Sequence, residues 1–283
     1  MPDITIPLGD KINLLFDRLI PIISPITRAL SNIFEVLVAN LEDFLLLLPP
    51  LLIIISLSIL AWWIAGKKLG VFSFLGLFLM YMLQLWSQTM STLALVLLGT
   101  LISLLLAIPL GIWSSLNNNV EKTLRPVLDF MQTLPSFVYL IPAVVFFGLG
   151  KISAVVAIMI FAMPPPVRFT NLGIRQVPVD MIEAAQSFGS TRKQILFNVQ
   201  LPLALPTIMA GINQCIMMSL SMAVIAAMIG AGGLGGEVLK AMQTVDIGLG
   251  VEGGLGIVLL AILLDRMTEK VSKNREFTVN ENN

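Results

Sequence analysis

Seven long apolar runs constrain this chain more than any other feature of its sequence. A helix needs ~20 mainly apolar residues to cross the hydrocarbon core of a bilayer. Runs of about that length lie near residues 44–65, 70–87, 90–113, 129–149, 152–169, 205–230 and 251–268. Apolar residues make up 57% of the 283, charged residues only 12%, and the mean hydropathy is +0.92. The sequence therefore predicts an all-α integral membrane protein with about seven transmembrane helices.

The fourth and fifth runs are separated only by the segment GLGK at 148–151. Gly148, Gly150 and the charge of Lys151 together predict a break there.

Basic residues predict the orientation of the chain in the membrane. Twelve of the 17 lysines and arginines fall on one side of the predicted bundle: Lys67, Lys68, Lys122, Arg125, Arg168, Arg175, Arg192, Lys193, Arg266, Lys270, Lys273 and Arg275. Because cytoplasmic loops are enriched in basic residues, this side is predicted to be cytoplasmic, with the N-terminus outside and the C-terminus inside.

The composition excludes several kinds of chemistry. The chain has no histidine and a single cysteine, Cys215, which rules out a Ser-His triad, imidazole metal sites and internal disulfides. Its formal net charge is zero, so nothing suggests a nucleic-acid partner. No GxxxxGK[ST] motif occurs, so any ATP must be bound by another subunit. We expect no catalytic residue, metal site or cofactor in this chain.

Both ends of the chain lie outside the apolar runs. In residues 1–43 an apolar stripe recurs at helical spacing: Leu15, Leu19, Ile22, Ile26, Leu30, Ile33 and Leu37. It predicts an amphipathic arm, bent or broken near Pro21 and Pro25 and not a cleaved signal peptide, which packs on the bundle or lies on the outer leaflet. The polar residues 269–283 predict a frayed cytoplasmic tail.

A glycine-rich stretch, IGAGGLGGE at 229–237, contains two pairs of adjacent glycines. Although it matches GxGxxG, it follows a membrane helix and not a soluble strand, so a dinucleotide site is excluded. We expect Gly232, Gly233, Gly235 and Gly236 to form an external turn that ends a helix and folds the chain back in an external or re-entrant segment.

A polar stretch, EAAQSFGSTRKQILFNVQLP at 183–202, interrupts the apolar pattern on the cytoplasmic side. Asp180 and Glu183 predict a capping box that opens a helix, and Gly189 predicts its end. Thr191 and Gln194 predict a second capping box, whose helix stops before Pro202. Arg192 and Lys193 oppose the macrodipole of this second helix, so anionic lipid or an acidic groove on a partner is expected to compensate them.

The same stretch resembles the EAA loop of ABC importer permeases, whose coupling helix docks into the ATPase subunit. The residues that carry the resemblance are Glu183, Ala184, Ala185, Gly189, Val199, Leu201 and Pro202. Val199 stands where that pattern usually has isoleucine. Across about residues 85–270, segments such as MQTLPSFVYLIPAVVFFGLGK and QLPLALPTIMAGINQ are similar to the permease of glycine betaine/proline betaine transporters.

This resemblance implies a type I ABC importer permease fold in a bacterial cell membrane. Residues 88–268 would form the core, with a coupling loop at 175–204 and two accessory helices before it at 44–87. It also implies a second permease copy, cytoplasmic ATPase subunits that use ATP and Mg²⁺, an extracellular binding protein, and uptake of betaine-like osmoprotectants.

Polar residues within the apolar runs are candidates for a translocation path. They are Gln132, Thr133, Asn213 and Gln214, and hydrogen bonding between packed helices is the alternative. The alternative functions are uptake of another small solute (choline, proline or an amino acid), an ion-coupled carrier, an intramembrane aspartyl protease and a structural scaffold. A carrier or a protease needs intramembrane acids, whereas Asp129, Glu252 and Asp265 lie near the ends of the predicted helices.

Overall fold

The computed structural model describes residues 8–280, except for the side chains of residues 8, 12, 13, 15 and 272–280. Every regular element in this part of the chain is helical. The α-helices are α1 (Leu8–Leu47), α2 (Pro50–Ala65), α3 (Lys67–Met82), α4 (Trp86–Leu116), α5 (Asn118–Thr133), α6 (Leu140–Phe147), α7 (Lys151–Ala162), α8 (Pro164–Arg175), α9 (Val179–Ser187), α10 (Arg192–Ile195), α11 (Leu201–Ile225), α12 (Gly233–Thr244) and α13 (Ile247–Asn280).

Five helical stretches among these residues are long and apolar enough to cross a membrane: Gly9–Leu47, Trp86–Leu116, Lys151–Arg175, Arg192–Ile229 and Ile247–Val271. A sixth is possible if one sharply bent pair of helices is counted as a single span. The two accessory helices, α2 and α3, have only 16 residues each. The first of them begins at Pro50, not at 44, because α1 continues to Leu47 and the chain breaks at two consecutive prolines.

The apolar run at 129–149 does not form one straight helix, contrary to the sequence prediction. The chain turns by 111° between α5 and the segment Ser136–Phe147. Leu134 precedes Pro135 and has extended backbone, because a proline disfavours helical backbone at the residue before it. The next break is the expected one: Gly148 and Gly150 both have positive φ angles, and a new helix begins at Lys151.

The core of the bundle is formed by α4, α7, α8 and α11, which pack directly on one another. Small residues allow the closest approaches. A Cβ on Gly111 of α4 would lie 2.5 Å from Cβ of Thr170 on α8. A Cβ on Gly211 of α11 would lie 2.7 Å from Cβ of Phe169, also on α8. Membrane helices commonly pack through small residues in this way, and here the packing fixes α8, which leads into the polar stretch.

The N-terminal arm forms one helix that continues through Pro21 and Pro25, so of the two predicted alternatives, a bend or a break, the break is excluded. Pro25 lacks an N–H, and the hydroxyl of Ser24 donates instead to the Pro21 carbonyl at 3.1 Å. The predicted stripe is largely exposed from Ile22 onward, and Leu15 lies outside the residues whose side chains are described.

A different face of α1 packs on the bundle. Phe34 and Val38 are buried against residues of α4 and α7. Glu42 forms an ion pair with Lys151 at the start of α7. The arm therefore packs on its own chain through this face, while the stripe remains available to lipid. At the other end, residues 269–280 continue α13 as a helix, and 281–283 lie outside the described residues.

Candidate functional site

The polar stretch folds into a helical elbow, residues 179–195, in which α9 and α10 meet at a glycine. Its first helix begins at Val179, directly after Pro178. The predicted capping box of Asp180 and Glu183 is therefore wrong. The proline ring fixes φ of Pro178 at −54°, and the chain enters the helix two residues before the position that the prediction required. Asp180 lies in the first turn, where a carboxylate interacts favourably with the helix dipole.

The structure confirms that Gly189, at the corner of the elbow, ends the first helix. Gly189 has φ of +79°, a conformation that L side chains rarely adopt. The N–H of Ser190 donates to the Ala185 carbonyl at 3.0 Å, as in a Schellman-type helix end. The second capping box is also present: Thr191 Oγ1 accepts the N–H of Gln194, and Gln194 Oε1 accepts the N–H of Thr191.

The second helix of the elbow does not stop before Pro202. It continues from α10 through one wide π-helical turn, Leu196–Gln200, into α11. The N–H of Leu201 donates to the Leu196 carbonyl across this turn. Pro202 has no N–H to donate and directly follows this π turn, where the hydrogen bonds between turns are already shifted, so the proline does not end the helix. The elbow is therefore joined rigidly to one of the central helices of the bundle.

The surface of the elbow is open and partly apolar. No residue of α9 is buried, Glu183 and Ala184 are exposed, and Ala185 is half-buried. The side chain of Phe188 is 91% exposed, and Val179 also projects outward. An exposed apolar patch of this kind is typical of a surface that another protein covers.

The remaining residues of the EAA pattern lie on the bundle side of the elbow. Val199 and Leu201 are half-buried, and Pro202 is exposed. Leu201 packs on a small apolar cluster that includes Ile174 at the end of α8 and Leu196. This cluster ties the elbow to the helix that precedes it.

The glycine-rich turn at 230–236 lies at the other end of α11. Gly230, Gly232 and Gly233 have positive φ angles, and α12 then folds back against α4 and α13. Leu234 is fully buried, and its N–H donates to Thr92 Oγ1 at 2.8 Å. The chain thus folds back after this helix, as predicted.

Two glycines of this turn are required by space. A Cβ on Gly233 would lie 2.4 Å from Thr92 Oγ1, and one on Gly235 would lie 2.7 Å from the Val224 carbonyl oxygen. A Cβ on Gly236 would meet nothing within 4 Å. The turn is therefore packed tightly at Gly233 and Gly235 and loosely at Gly236.

The four candidate path residues do not form one cluster in this chain. Gln132 and Thr133 are exposed where α5 ends, and the Thr133 hydroxyl donates to a carbonyl of its own helix. Asn213 Nδ2 donates to Asp265 Oδ1 of α13 at 2.9 Å, which matches the alternative of hydrogen bonding between helices. Gln214, the next residue, is exposed. The partner of Asn213 is 52 positions away, so no local sequence signal identifies it.

Sequence reasoning missed a network of polar contacts beside the elbow. Arg175 forms an ion pair with Glu121 at 3.0 Å, and its guanidinium also donates to Asn118 Oδ1 and to the Ser114 carbonyl. Arg168 pairs with Asp129. These arginines were interpreted only as markers of orientation, although the polar residues of α5 between two apolar runs are a signal that partners lie nearby.

Residues 107–275 match the family described as the binding-protein-dependent transport system inner membrane component, and the chain belongs to this family. It is 46% identical over 271 residues to the glycine betaine transport system permease protein OpuAB of Bacillus subtilis, with 96% of each chain covered.

A second relative and a solved structure agree with this assignment. The chain is 50% identical over 278 residues to the glycine betaine/carnitine transport permease protein GbuB of Listeria monocytogenes, with 96% of this chain and 98% of that one covered. The inward-facing MetNI methionine ABC transporter matches with a TM-score of 0.61 at 21% identity, over 69% of this chain and 97% of that one. This likeness confirms the type I ABC importer permease fold.

Proposed function

We propose that this chain is the membrane-spanning subunit of a bacterial ABC importer that takes up glycine betaine or a related quaternary-ammonium osmoprotectant. The observation that carries the proposal is identity of 46% and 50% to two glycine betaine permeases, each over 96% of this chain. The chain itself is non-catalytic and binds no cofactor in this proposal. ATP and Mg²⁺ are used by a separate ATPase subunit, and an extracellular binding protein delivers the solute.

The elbow is the part of this chain that contacts the ATPase. Its support is the exposed surface of α9 together with Phe188, which the chain's own helices leave uncovered. Because α10 continues into α11 through the π turn, a displacement of the elbow is transmitted to a central helix of the bundle. This function requires the elbow on the cytoplasmic side, the orientation that the basic residues predict, with the N-terminus outside.

A second copy of the chain covers an exposed stripe of α11. This helix packs against α4, α7, α8 and α13, yet Ala210, Gln214 and Ser221 are exposed along one side of it. Their spacings of four and seven residues place them on one face. In lipid, the exposed amide of Gln214 needs a polar partner, whereas the Ser221 hydroxyl already donates to the Met217 carbonyl of its own helix. This face therefore suits a water-containing path between two copies, with Gln214 in its wall.

Uptake of labelled glycine betaine tests the proposal. Cells that lack other betaine carriers would express this chain together with its ATPase and binding-protein partners, and uptake would be measured before and after ATP depletion. Energy-dependent uptake that is lost when this chain is omitted is the expected result. An assembled complex that takes up choline, proline or another amino acid but no betaine would contradict the substrate. Uptake that survives ATP depletion but collapses with an ionophore would contradict the ABC mechanism.

A further inference from the structure

A cavity of about 300 Å³ lies beside the elbow, between the inner end of α4, α5 and α8. Its wall includes the side chains of Arg125, Arg168 and Arg175, together with Glu121 and Asn171. Three cations therefore share this cavity with one lining carboxylate. The side of the molecule that carries them is the one that the positive-inside bias assigns to the cytoplasm.

The charges of the cavity are only partly neutralised by the protein. Arg175 pairs with Glu121 in the wall, and Arg168 pairs with Asp129 just outside it. Within the described residues, Arg125 has no ion-pair or hydrogen-bond partner. The cavity thus retains one unpaired guanidinium and two more that can donate further hydrogen bonds, a set that favours a phosphate group.

A largely apolar groove of about 380 Å³ adjoins this cavity across Leu124, which lines both. The groove runs between α4 and α5, and Leu110, Trp113 and Val127 contribute to its wall. The side chain of Trp113 is 57% exposed, and tryptophan is enriched at the level of lipid headgroups. A basic cavity and an apolar groove thus lie side by side at the inner edge of the bundle.

From this juxtaposition we propose a binding site for one anionic phospholipid, with its phosphate in the arginine cavity and part of an acyl chain in the groove. Basic pockets between membrane helices on the cytoplasmic side are suited to anionic headgroups. A soluble phosphate would satisfy the arginines equally well, but it would leave the apolar groove empty. The groove is therefore the observation that favours a lipid.

Binding of phosphatidylglycerol to the detergent-solubilised full-length chain tests this site, with native mass spectrometry as the measurement and phosphatidylcholine as the reference lipid. Arg125→Gln is expected to weaken phosphatidylglycerol binding about tenfold, because it removes one charge-assisted hydrogen bond to the phosphate. Lys122→Gln is the matched control, because it removes the same charge from an exposed position of α5 outside the cavity. Val127→Asn, at an exposed position of the groove, is expected to weaken phospholipid binding but not binding of glycerol 3-phosphate.

Three results are distinguishable, provided that each variant melts at the temperature of the wild type. Selective loss in Arg125→Gln and Val127→Asn supports the site. Equal loss in Arg125→Gln and Lys122→Gln would mean diffuse attraction to the basic surface and would overturn it. Competition by glycerol 3-phosphate, with normal phosphatidylglycerol binding by Val127→Asn, would assign the cavity to a soluble phosphate and overturn the lipid. The test measures binding only, so its outcome is independent of the transported substrate.

Discussion

The elbow and the glycine-rich turn both interrupt helices at glycine, but for different physical reasons. At the elbow, Gly189 has a positive φ angle and open space around it. At the glycine-rich turn, Gly233 and Gly235 have neighbours that would lie within 3 Å of an added Cβ. The elbow therefore needs glycine for its backbone conformation alone, whereas the glycine-rich turn also needs glycine for its packing.

The neighbours of the two regions show the same contrast. Leu234 of the glycine-rich turn is fully buried and hydrogen-bonded to α4, while no residue of α9 in the elbow is buried. The chain fixes the glycine-rich turn through its own contacts. It leaves the elbow exposed, as the proposed contact with the ATPase requires. Four substitutions test this distinction, from the largest expected effect on stability to the smallest.

Gly235→Val should be the most disruptive change. The new Cβ would lie 2.7 Å from the Val224 carbonyl oxygen, which is backbone and moves only with α11. We expect a loss of about 3 kcal/mol in the free energy of unfolding, the upper part of the range for overpacking. Thermal unfolding in detergent measures it. Gly236→Ala is the control, since its Cβ meets nothing within 4 Å; equal melting temperatures for the two variants would contradict the packing argument.

Thr92→Val should destabilise the same turn by a smaller amount. It removes the acceptor of the buried Leu234 N–H, and an unsatisfied buried donor costs about 1–3 kcal/mol. Thr89→Val is the matched control. It is the same substitution about one helix turn away, and it removes a hydroxyl that only donates to the Leu85 carbonyl of its own helix. Thr92→Val should therefore lower the free energy of unfolding more than Thr89→Val does. If Thr89→Val proved equally destabilising, the bond to Leu234 would not be what anchors the turn.

Gly189→Val should change function more than stability. The valine would be held in left-handed backbone at a local cost of about 1–2 kcal/mol, without any clash. The elbow relieves this strain by changing its angle, so the variant should insert in the membrane normally but lose ATPase docking or coupled transport. Co-purification with the ATPase and uptake measure this. Gly254→Val, also in open space but without a positive φ angle, is the control. Normal uptake by Gly189→Val would refute the assigned role of the glycine.

Phe188→Ala should have the smallest effect on folding. Its side chain is 91% exposed, so the free energy of unfolding should change by less than about 0.5 kcal/mol. Association with the ATPase should nevertheless weaken, because the largest apolar side chain at the corner of the elbow is lost. Leu149→Ala, at a side chain that is 76% exposed at the other end of the bundle, is the control for both measurements. Unchanged ATPase affinity in Phe188→Ala would exclude this side chain from the contact.

Features with a local cause were predicted well from the sequence. The break at 148–151, the positive φ angle of Gly189 and the Thr191–Gln194 capping box depend on residues within a few positions of one another. The likeness to the EAA loop identified the protein family for the same reason, since that pattern is contiguous.

Features that depend on distant contacts were not predicted. The pairing of Asn213 with Asp265 and the burial of one face of α1 arise only when helices far apart in the chain meet. The bend before Pro135 is different, because its cause is local: the proline outweighs the apolar composition of the run. The start of α9 was misplaced because two opening signals, Pro178 and Asp180, compete within three residues and the proline prevailed.

The short accessory hairpin has a consequence for the surrounding bilayer. With 16 residues each, α2 and α3 are only about 24 Å long, shorter than the hydrocarbon core of about 30 Å even if they stand upright. If each of them crosses the membrane, the lipids beside them would have to thin to match this length, at a cost that increases with each ångström of hydrophobic mismatch. Shorter acyl chains would then be favoured on this flank, and membrane thickness would itself be a variable that affects the stability of the permease.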